Sequence, residues 1–449
     1  MVRWWFAIPL WGRVFMALVA GIVLGLGLQA GLKAWGLHIG VAPDQAQAVA
    51  SGWIKTWLGP FGDLFIRLLR MIIVPLIMTT LVAGIVQLGD PKRLGTVGVK
   101  TLLLYAGMTL VAVSIGLLFG TLFQPGAGLI LTDAGAGAVA FEPLSISERL
   151  LAIVPQNPVE AMVKGDVLSL IFFSILFGIG IILCGPSAQP VADVFTAASE
   201  AILKVTQIVM EFAPLGVFAL MAYTVASQGI EIFASVFKLI ACVYLALITY
   251  MLVTYGAIIR LWLKLPLWRF FLGMADAQAV AYSTASSSAA LPVTMNCTTQ
   301  KLGVPQSIAG STLPLGAVIN MDGTALYQGI LACFAAQTFG YHLGVSEYAI
   351  ILVTASLVSI GTASIPSASL FLMAIVMSTF GVTPEQVAMI LAFILPVDRI
   401  MDMARTTINV ASDAVVALAV AKTEGEFDSG IYLGQKVYEP TARESDDLA

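Results

Sequence analysis

Long apolar runs recur along this chain and constrain its fold more than any other feature. They lie near residues 14–36, 57–88, 97–124, 165–185, 196–225 and 237–263. A helix needs about 20 apolar residues to cross the hydrocarbon core of a bilayer, and each run reaches that length. Only 11% of the residues are charged, against about 25% in soluble domains. The sequence therefore predicts an all-α polytopic membrane protein.

The part of the chain after residue 270 differs, because Ser, Pro, Gly and Asn interrupt its apolar runs. The three breaks read STASSSAALPVTMN (283–296), NMDGT (320–324) and SIGTASIPSAS (359–369). In the first and third, a central proline stands between apolar arms that are too short to cross a bilayer separately, which predicts two re-entrant hairpins. Matching broken segments are typical of inverted repeats around a binding site.

A polar stripe runs through the apolar segment 396–416. Its members are Asp398, Asp402, Arg405, Asn409 and Asp413. They follow one another at steps of 4, 3, 4 and 4, which puts them on one face of a helix. A charge near the bilayer centre is costly, and packing alone does not explain five such groups. The stripe therefore indicates a transporter.

The charged residues also suggest a cargo. Asp322 and Asp413 have no obvious Lys partner in the sequence, and bound sodium would satisfy both carboxylates. Arg405 suits a substrate carboxylate because its planar fork can donate two parallel hydrogen bonds. Asp402, one turn away, suits a substrate ammonium. Together these residues predict an acidic amino acid as substrate and sodium as the transported cation.

Other accounts of the same residues stay open. Asp398 and Arg399 equally suit an internal ion pair, and Arg405 and Asp402 suit a structural pair. The serine clusters equally suit hydroxyls that bond to carbonyls of their own helix. An anion channel is a further alternative. A membrane hydrolase using Ser286–Ser288 is a weaker one, because no His lies near the broken segments to activate a nucleophile.

Composition argues against several other classes. The net charge of -4 gives no basis for nucleic-acid binding. The single, scattered cysteines and the two distant histidines predict neither a disulfide framework nor a His/Cys metal site. These residues are Cys184, Cys242, Cys297, Cys333, His38 and His342. The N-terminal sequence MVRWWFAIPLWGRVF lacks a small-residue cleavage site, which predicts a retained first helix.

Basic residues in short links set the predicted topology. They are Lys92, Arg93, Lys100, Arg260, Lys264 and Arg269. Positive charge favours the cytoplasm, so the N-terminus and the links 89–100 and 260–270 are predicted to be cytoplasmic, and the Gly-rich loop 125–164 extracellular. The polar tail, 426–449, is predicted to be cytoplasmic and disordered at its end. The expected location is a bacterial inner membrane, with lipid around the spans.

Four segments carry a resemblance to a known family. They read SSSAALPVTM (286–295), NMDGTALYQG (320–329), SIGTASIPS (359–367) and DMARTTINVASD (402–413). From the first span to about residue 425, the chain resembles the glutamate/aspartate transporters. These include archaeal aspartate transporters, bacterial glutamate and C4-dicarboxylate carriers, and mammalian excitatory amino acid transporters. The resemblance implies a non-enzymatic homotrimer whose subunits have eight transmembrane helices and two re-entrant hairpins.

The same resemblance implies a division between fixed and moving helices. Scaffold helices 1, 2, 4 and 5 would occupy residues 1–88 and 165–225. Helix 3 (97–124) and residues 237–425 would form a transport domain that carries the substrate across like an elevator. Within that domain, hairpin one would span about 271–297 and hairpin two, the gate, about 347–380.

Site residues follow from the resemblance position by position. Arg405 resembles the arginine that binds the substrate side-chain carboxylate, and Asp402 the aspartate that binds the amino group. The other implied substrate residues are Thr406, Asn409, Thr324, Ser286, Ser287, Ser288, Gly361 and Ile365. The implied sodium sites are Asp413 with Gly316, Asn320 and Asn409; Val318 with Ser359, Ile360 and Thr362; and Tyr105 with Thr109, Asn320 and Asp322.

Several residues depart from the family pattern. Met108 falls where archaeal members place a sodium-binding threonine, and a thioether is a poor ligand for a hard cation. Ala285 replaces an archaeal arginine that Met403 does not restore, and Arg399 is a candidate substitute. Glycines of the archaeal gate are replaced by Ser364, Ser367 and Ser369.

Three positions of the stripe favour one kind of family member over another. Dicarboxylate carriers lack an acid at the position of Asp402, and neutral amino acid members replace Arg405. Proton-coupled bacterial relatives tend to carry Asn at the position of Asp413. The sequence thus predicts sodium-coupled symport of L-aspartate or L-glutamate. A C4-dicarboxylate carrier and a proton-coupled glutamate carrier of the same fold are the alternatives.

Overall fold

A computed structural model of the chain describes residues 8, 10–39, 49, 52–87, 91–129, 154–164, 167–228, 232–360 and 368–438. Over these residues the secondary structure is helical and includes no strand, which confirms the all-α prediction for this part of the chain. The first helices are α1 (Leu10–Ile39), α2 (Gly59–Gln87), α3 (Pro91–Phe123), α4 (Pro158–Lys164), α5 (Val167–Cys184), α6 (Gln189–Met210), α7 (Ala213–Gln228) and α8 (Ile232–Tyr250). A π-helical stretch, Met251–Trp262, continues α8.

The broken half of the sequence forms shorter helices followed by one long one. They are α9 (Leu267–Thr284), α10 (Ser287–Gln300), α11 (Gln306–Ile319), α12 (Asp322–Phe339), α13 (Val345–Ile360), α14 (Ala368–Ser378), α15 (Pro384–Glu424) and α16 (Ser429–Tyr432). Helix α15 contains the whole polar stripe. Its start is fixed by a capping box in which Gln386 N donates to Thr383 Oγ1 and Thr383 N donates to Gln386 Oε1.

Among the residues that the structure describes, five helical stretches are long and apolar enough to cross a membrane. They are Gly12–Gly31, Thr96–Phe123, Phe172–Met210, Ala234–Trp262 and Val397–Glu424. The predicted total of eight transmembrane helices stays a prediction, because length and composition alone select these five. These stretches differ in how far they are buried inside the protein. In the 18-residue apolar window of each stretch, 83% of the residues of Val397–Glu424 are buried, against 17% of those of Gly12–Gly31. The polar stripe thus lies at the centre of the helical assembly.

The apolar run predicted at 196–225 is two helices rather than one. Helix α6 ends at Met210 and α7 begins at Ala213. The break follows from Pro214, because a proline ring clashes with the carbonyl four residues earlier, here that of Met210. Glu211 lies in the break and accepts hydrogen bonds of 2.5 and 3.1 Å from Arg13. This ion pair ties the break to the start of α1.

The loop predicted at 125–164 ends in a helix. Residues 130–153 lie outside the described part of the chain, but Pro158–Lys164 forms α4. Asn157 Oδ1 accepts a hydrogen bond of 3.0 Å from Val159 N, and Pro158 stands at the first helical position, where its missing N–H costs nothing. Local capping therefore makes a helix of a segment whose composition predicts a loop.

The helices pack into two groups, which we call the outer group and the inner group. The outer group comprises α1, α2, α5, α6 and α7. In the inner group, α15 contacts α8 to α12 and α14, and α3 packs along α12. Several helix pairs join the groups: α7 and α1 contact α15, α2 contacts α11 and α14, and α5 contacts α13. In the outer group, Gly21 and Gly25 let α1 approach α7 closely, since an added Cβ would lie 2.7 Å from Phe218 O and 2.8 Å from Ala222 O.

The first broken segment folds into a helical hairpin of α9 and α10. Ala285 makes the turn in the left-handed conformation, with φ 50°. Ser286 caps α10 by accepting a hydrogen bond from Ala289 N. At the other end of the hairpin, Lys301 Nζ lies 2.5 Å from Asp276 Oδ2, which fixes the two helices side by side. Helices α13 and α14 also pack against each other, and the segment that joins them, 361–367, lies outside the described residues.

Residues 425–438 form what we call the C-terminal strap, which packs against the base of this first hairpin. Asp428 N donates to Gly303 O at 3.0 Å, just after α10. Tyr432 is buried, and its hydroxyl donates to Pro266 O at 3.1 Å, just before α9. The first part of the predicted polar tail, 426–438, is thus ordered and tied to both ends of the hairpin, and its cytoplasmic location stays a prediction. Residues 439–449 lie outside the described part.

We expect Tyr432→Ala to destabilise the protein by about 3 kcal/mol, since it removes a buried aromatic ring. Tyr432→Phe keeps the ring and is expected to cost only about 1 kcal/mol for the lost hydrogen bond to Pro266 O. Thermal unfolding of the detergent-solubilised protein measures both changes. Equal stability of the wild type and Tyr432→Ala would contradict the docking of the strap.

Candidate substrate and cation site

A buried cluster of charged and polar groups surrounds Arg405 on α15. Its Nη2 atom lies 2.9 Å from Asp398 Oδ1 and 3.0 Å from Asp402 Oδ1. Its Nη1 atom donates to Ser369 Oγ at 2.8 Å. The guanidinium carbon stands 3.9 Å from the centroid of the Tyr327 ring, which adds a cation–π contact. The arginine is thus held from three directions: its own helix, α12 and α14.

The partner of Asp398 differs from the ion pair with Arg399 that the sequence also allowed. Adjacent residues of a helix do not face each other, whereas residues seven apart lie on one face. Asp398 therefore faces Arg405, and its Oδ1 atom also accepts a hydrogen bond of 3.0 Å from the Tyr327 hydroxyl. Arg399 turns the other way and donates from Nη2 to Thr284 O at 3.0 Å. This contact places a cation at the tip of the first hairpin.

Arg405 keeps donor capacity in this buried cluster. Over the part of the chain that the structure describes, Arg405 Nε has no hydrogen-bond partner, and neither does Asp398 Oδ2. A buried N–H without an acceptor is costly, and a carboxylate is the acceptor that matches an arginine fork best. The cluster can therefore receive one further anionic group beside the arginine.

A second buried cluster centres on Asp322, at the start of α12. Its Oδ1 atom accepts a hydrogen bond of 2.8 Å from Thr109 Oγ1. Its Oδ2 atom accepts bonds of 2.6 Å from the Tyr250 hydroxyl and 2.5 Å from Ser412 Oγ. Helices α3, α8 and α15 thus all donate to one carboxylate. Met108 is buried beside them, and its carbonyl accepts a bond of 3.4 Å from the Tyr250 hydroxyl.

Asp413 lies next to this cluster and is linked to it by Asn320. Asn320 Nδ2 donates to Asp413 Oδ1 at 2.8 Å and to Ser412 Oγ at 2.9 Å. Asn320 Oδ1 is buried and accepts no hydrogen bond from the described residues. Position 316 must be glycine, because an added Cβ would collide with Asp413 Oδ1 and with the Tyr105 hydroxyl. Backbone, carboxylate and amide oxygens thus converge where α11 breaks.

The charges of this second cluster are not balanced by protein cations. Among the described residues, no lysine or arginine pairs with Asp322 or Asp413, and both are buried. A buried carboxylate without a partner cation is strongly unfavourable. Cations or protons from solution therefore have to compensate these two charges. Oxygen-rich surroundings suit a hard cation such as sodium.

The start of α12 connects the two clusters. Asn409 Oδ1 accepts a hydrogen bond of 2.8 Å from Gly323 N, and Asn409 Nδ2 donates to Thr324 Oγ1 at 3.5 Å. Gly323 packs so closely on α15 that an added Cβ would lie 2.5 Å from Arg405 O. Thr406 is buried one residue further on. The predicted substrate residues of α12 and α15 are thus neighbours in space.

Comparison with known proteins identifies the family. A family model described as the sodium:dicarboxylate symporter family matches residues 10–423. The chain belongs to the sodium:dicarboxylate symporter family. It is 39% identical to the proton/glutamate-aspartate symporter of Escherichia coli K12 over 382 residues, which are 83% of this chain and 86% of that protein. Members of this family are transporters, so this family member is a membrane transporter and not an enzyme.

Two further relatives of this symporter-family protein have different names. The proton/sodium-glutamate symport protein of Geobacillus stearothermophilus is 33% identical over 424 residues, 93% of this chain and 94% of that protein. The C4-dicarboxylate transport protein of Bacillus subtilis 168 is 31% identical over 422 residues, again 93% of this chain and 94% of that protein. Family membership therefore leaves cargo and coupling ion to be argued from the site.

Not every predicted site residue of this transporter joins the clusters. Ser286 caps α10, Ser287 is buried and Ser288 is exposed, so these three lie at the tip of the first hairpin in different surroundings. Ser359 Oγ donates to Ser356 O of its own helix at 2.8 Å. Val318 lies near the end of α11 and Ile360 at the end of α13. Gly361, Thr362, Ser364, Ile365 and Ser367 lie outside the described residues.

Five contributors were not among the predicted site residues, and one of them, Ser369, is noted above only because it replaces a glycine of the archaeal gate. Asp398 and Ser412 carry a signal in the sequence: the first belongs to the polar stripe and the second precedes Asp413. Tyr327 lies one helical turn after Thr324, which is a weak signal. Tyr250 comes from a helix 72 residues before Asp322 and sits in an apolar run, so no local pattern could have found it.

Proposed function

We propose that this transporter is a secondary symporter that takes up an acidic amino acid, L-aspartate or L-glutamate, together with sodium. The observation that carries the proposal is the buried Arg405: its Nε atom has no hydrogen-bond partner among the described residues, and its Nη2 atom lies 3.0 Å from Asp402 Oδ1. A donor for the side-chain carboxylate thus stands beside an acceptor for the ammonium group. The names of the Escherichia coli and Geobacillus relatives, which contain glutamate or glutamate-aspartate, agree with this cargo.

Substrate binding exchanges one internal ion pair for two new ones. Without substrate, Asp402 compensates Arg405 in part. A substrate carboxylate at Arg405 releases Asp402, which then pairs with the substrate ammonium. The guanidinium stays in place during this exchange because Asp398 and Ser369 still hold it. The exchange therefore favours a ligand that carries a carboxylate for Arg405 and, at a fixed distance from it, an ammonium group for Asp402.

Sodium coupling is supported by the cluster of Asp322, Asp413 and Asn320. Within the described part of the chain, two buried carboxylates have no cation partner and the Asn320 amide oxygen has no donor, so all three offer oxygen ligands to a cation. We assign the predicted ligands Gly316, Asn320, Asn409 and Asp413 to one sodium ion. Tyr105, Thr109, Asn320 and Asp322 form a second candidate set, and Val318, Ser359, Ile360 and Thr362 a third. Protonation of the carboxylates is the competing account, and it agrees with the relatives that are named for protons.

A C4-dicarboxylate is the competing cargo. Asp402 already has a cation partner in Arg405, so it does not need a substrate ammonium, and this favours the alternative. The name of the Bacillus subtilis relative agrees with it. Because a dicarboxylate carries no ammonium, its binding would add a second negative charge beside Arg405 without supplying a cation for Asp402. The acidic amino acid therefore remains the better match.

We further propose an elevator movement in a homotrimer. The outer group is the fixed scaffold (within 1–88 and 165–225), and the inner group is the moving transport domain (within 97–124 and 237–425). The contact between the groups is small compared with the contact within each group, which supports this division. The α9–α10 hairpin and the α13–α14 pair are the two re-entrant units, and the second is the gate. The bacterial inner membrane with both termini cytoplasmic is the proposed setting.

The test is uptake of radiolabelled L-aspartate into proteoliposomes that contain the purified protein. Separate inward gradients of sodium and of protons are imposed, and L-glutamate and succinate compete for uptake. We expect concentrative uptake that requires sodium and that L-glutamate inhibits more strongly than succinate. Uptake that follows the proton gradient alone would overturn the ion assignment. Transport of succinate without transport of L-aspartate would overturn the cargo.

A further inference from the structure

Ser369 joins the α13–α14 pair to the substrate arginine. It is the second residue of α14 and directly follows the segment that connects the two helices. Its side chain is 3% exposed, and its Oγ accepts a hydrogen bond of 2.8 Å from Arg405 Nη1. A hydrogen bond with a charged donor is stronger than one between neutral groups. This bond therefore connects the position of α14 to the orientation of the guanidinium.

Other serines of these two helices do not reach beyond their own helix. Ser356 Oγ donates to Leu352 O, Ser359 Oγ to Ser356 O, and Ser378 Oγ to Ile375 O. Such bonds satisfy the hydroxyl within its own helix, so they do not connect these serines to the substrate site. Ser369 differs because its partner lies on α15, 36 residues further along the chain.

The hydrogen bonds that Arg405 already makes determine which nitrogen of its guanidinium remains free to bind a substrate carboxylate. Both Asp398 and Asp402 bind Nη2, and Ser369 binds Nη1. The nitrogen left without a partner among the described residues is Nε. Holding the fork at Nη1 and at Nη2 by fixed groups keeps the Nε–H direction constant, which is what a carboxylate-binding site needs.

We propose that Ser369 is a positioning residue for the substrate: its hydroxyl holds Arg405 Nη1 so that the Nε side of the guanidinium meets the side-chain carboxylate. This inference rests on the proposed function and deepens it. When Asp402 turns to the substrate ammonium, Ser369 and Asp398 remain as the anchors of the arginine.

The experiment measures the Kd of L-aspartate for the purified protein in sodium. Ser369→Ala removes the hydroxyl, and we expect the Kd to rise about tenfold, the usual size of a lost hydrogen bond to a charged group. Ser369→Thr keeps the hydroxyl and is expected to stay within about twofold of the wild type. Ser378→Ala is the matched control, because its hydroxyl bonds only to its own helix, and no change in Kd is expected.

The threonine variant separates positioning from packing. If Ser369 only fills space, the extra methyl group of threonine at this buried position should weaken binding more than alanine does. Ser369→Gly is a second variant without the hydroxyl, and the same rise in Kd is expected if Ser369→Ala is poorly folded.

The outcomes for the inference and for the proposed function are distinct. A wild type that binds L-aspartate, with Ser369→Ala within about twofold of it or with Ser369→Thr as weak as Ser369→Ala, would overturn this inference alone. A wild type that binds no acidic amino acid would overturn the proposed function, and the inference with it.

Discussion

Uptake of L-aspartate is expected to fall below detection in Arg405→Ala. The variant removes the carboxylate donor and leaves Asp398 and Asp402 buried without their cation. Truncating one partner of a buried, hydrogen-bonded charge pair costs about 2–5 kcal/mol of binding free energy, which corresponds to about thirtyfold or more in affinity. Arg405→Lys is expected to recover little activity, because a point-like ammonium cannot bind Ser369, Asp398 and a substrate in the geometry of the planar fork.

Arg13→Ala is the matched control for Arg405→Ala. Arg13 is also buried and forms a close ion pair, but with Glu211 in the outer group. We expect it to lower thermal stability and to leave the Kd of L-aspartate unchanged. If Arg405→Ala folds poorly, the double variant Arg405→Ala, Asp398→Asn removes the uncompensated charge and tests binding alone. Binding of L-aspartate within about tenfold of the wild type in Arg405→Ala would rule out the role of the arginine.

The second large effect is expected for Asp413→Asn, in the cation cluster. The amide has nearly the same shape as the carboxylate, so the contacts with Asn320 and Gly316 keep their packing. It carries no charge, so sodium loses a principal ligand while the apo protein loses a buried unpaired carboxylate. We expect Asp413→Asn to be as stable as the wild type or more stable without sodium, and to lose sodium-driven uptake.

The measurement is the melting temperature with and without sodium, together with uptake in both gradients. Ligand that binds only the folded state raises the melting temperature, so the wild type should be stabilised by sodium and Asp413→Asn should not. Asp276→Asn is the control, because Asp276 pairs with Lys301 at the base of the first hairpin, and it should keep the sodium response. Sodium-driven uptake by Asp413→Asn equal to that of the wild type would contradict the assignment.

The helical character of the chain and the central stripe could be predicted from the sequence. Residues of one stripe lie on one helix, so a single period determines their common face, and Arg405 indeed meets Asp398 and Asp402. The alternative pairing of Asp398 with Arg399 ignores that neighbouring residues point apart. The helical period therefore predicts which residues share a face. Applied to Asp398, it favours Arg405, seven residues away, over the adjacent Arg399.

Contacts between distant segments could not be predicted in this way. Thr109 and Tyr250 donate to Asp322 from α3 and α8, and each lies within an apolar run. The composition of the segment from residue 426 onward predicts a polar tail, and no local pattern indicates that the buried Tyr432 packs against the first hairpin. The break after Met210 is different, because it depends on a local residue, Pro214. A proline within an apolar run either kinks a helix or ends it, and hydropathy does not distinguish the two outcomes.

The central position of α15 also bears on the synthesis of the protein. All of its partners in the inner group, from α3 to α14, precede it in the sequence, and the strap that closes the base of the first hairpin follows it. During translation these earlier helices are inserted before the helix that covers their polar groups exists. Asp322 therefore lacks the hydrogen bond from Ser412 until α15 is synthesised, and Gly303 O lacks the hydrogen bond from Asp428 N until the strap is synthesised. A ribosome that stops before α15 leaves a set of membrane helices whose polar groups lack their partners, which makes such a fragment a substrate for membrane quality control.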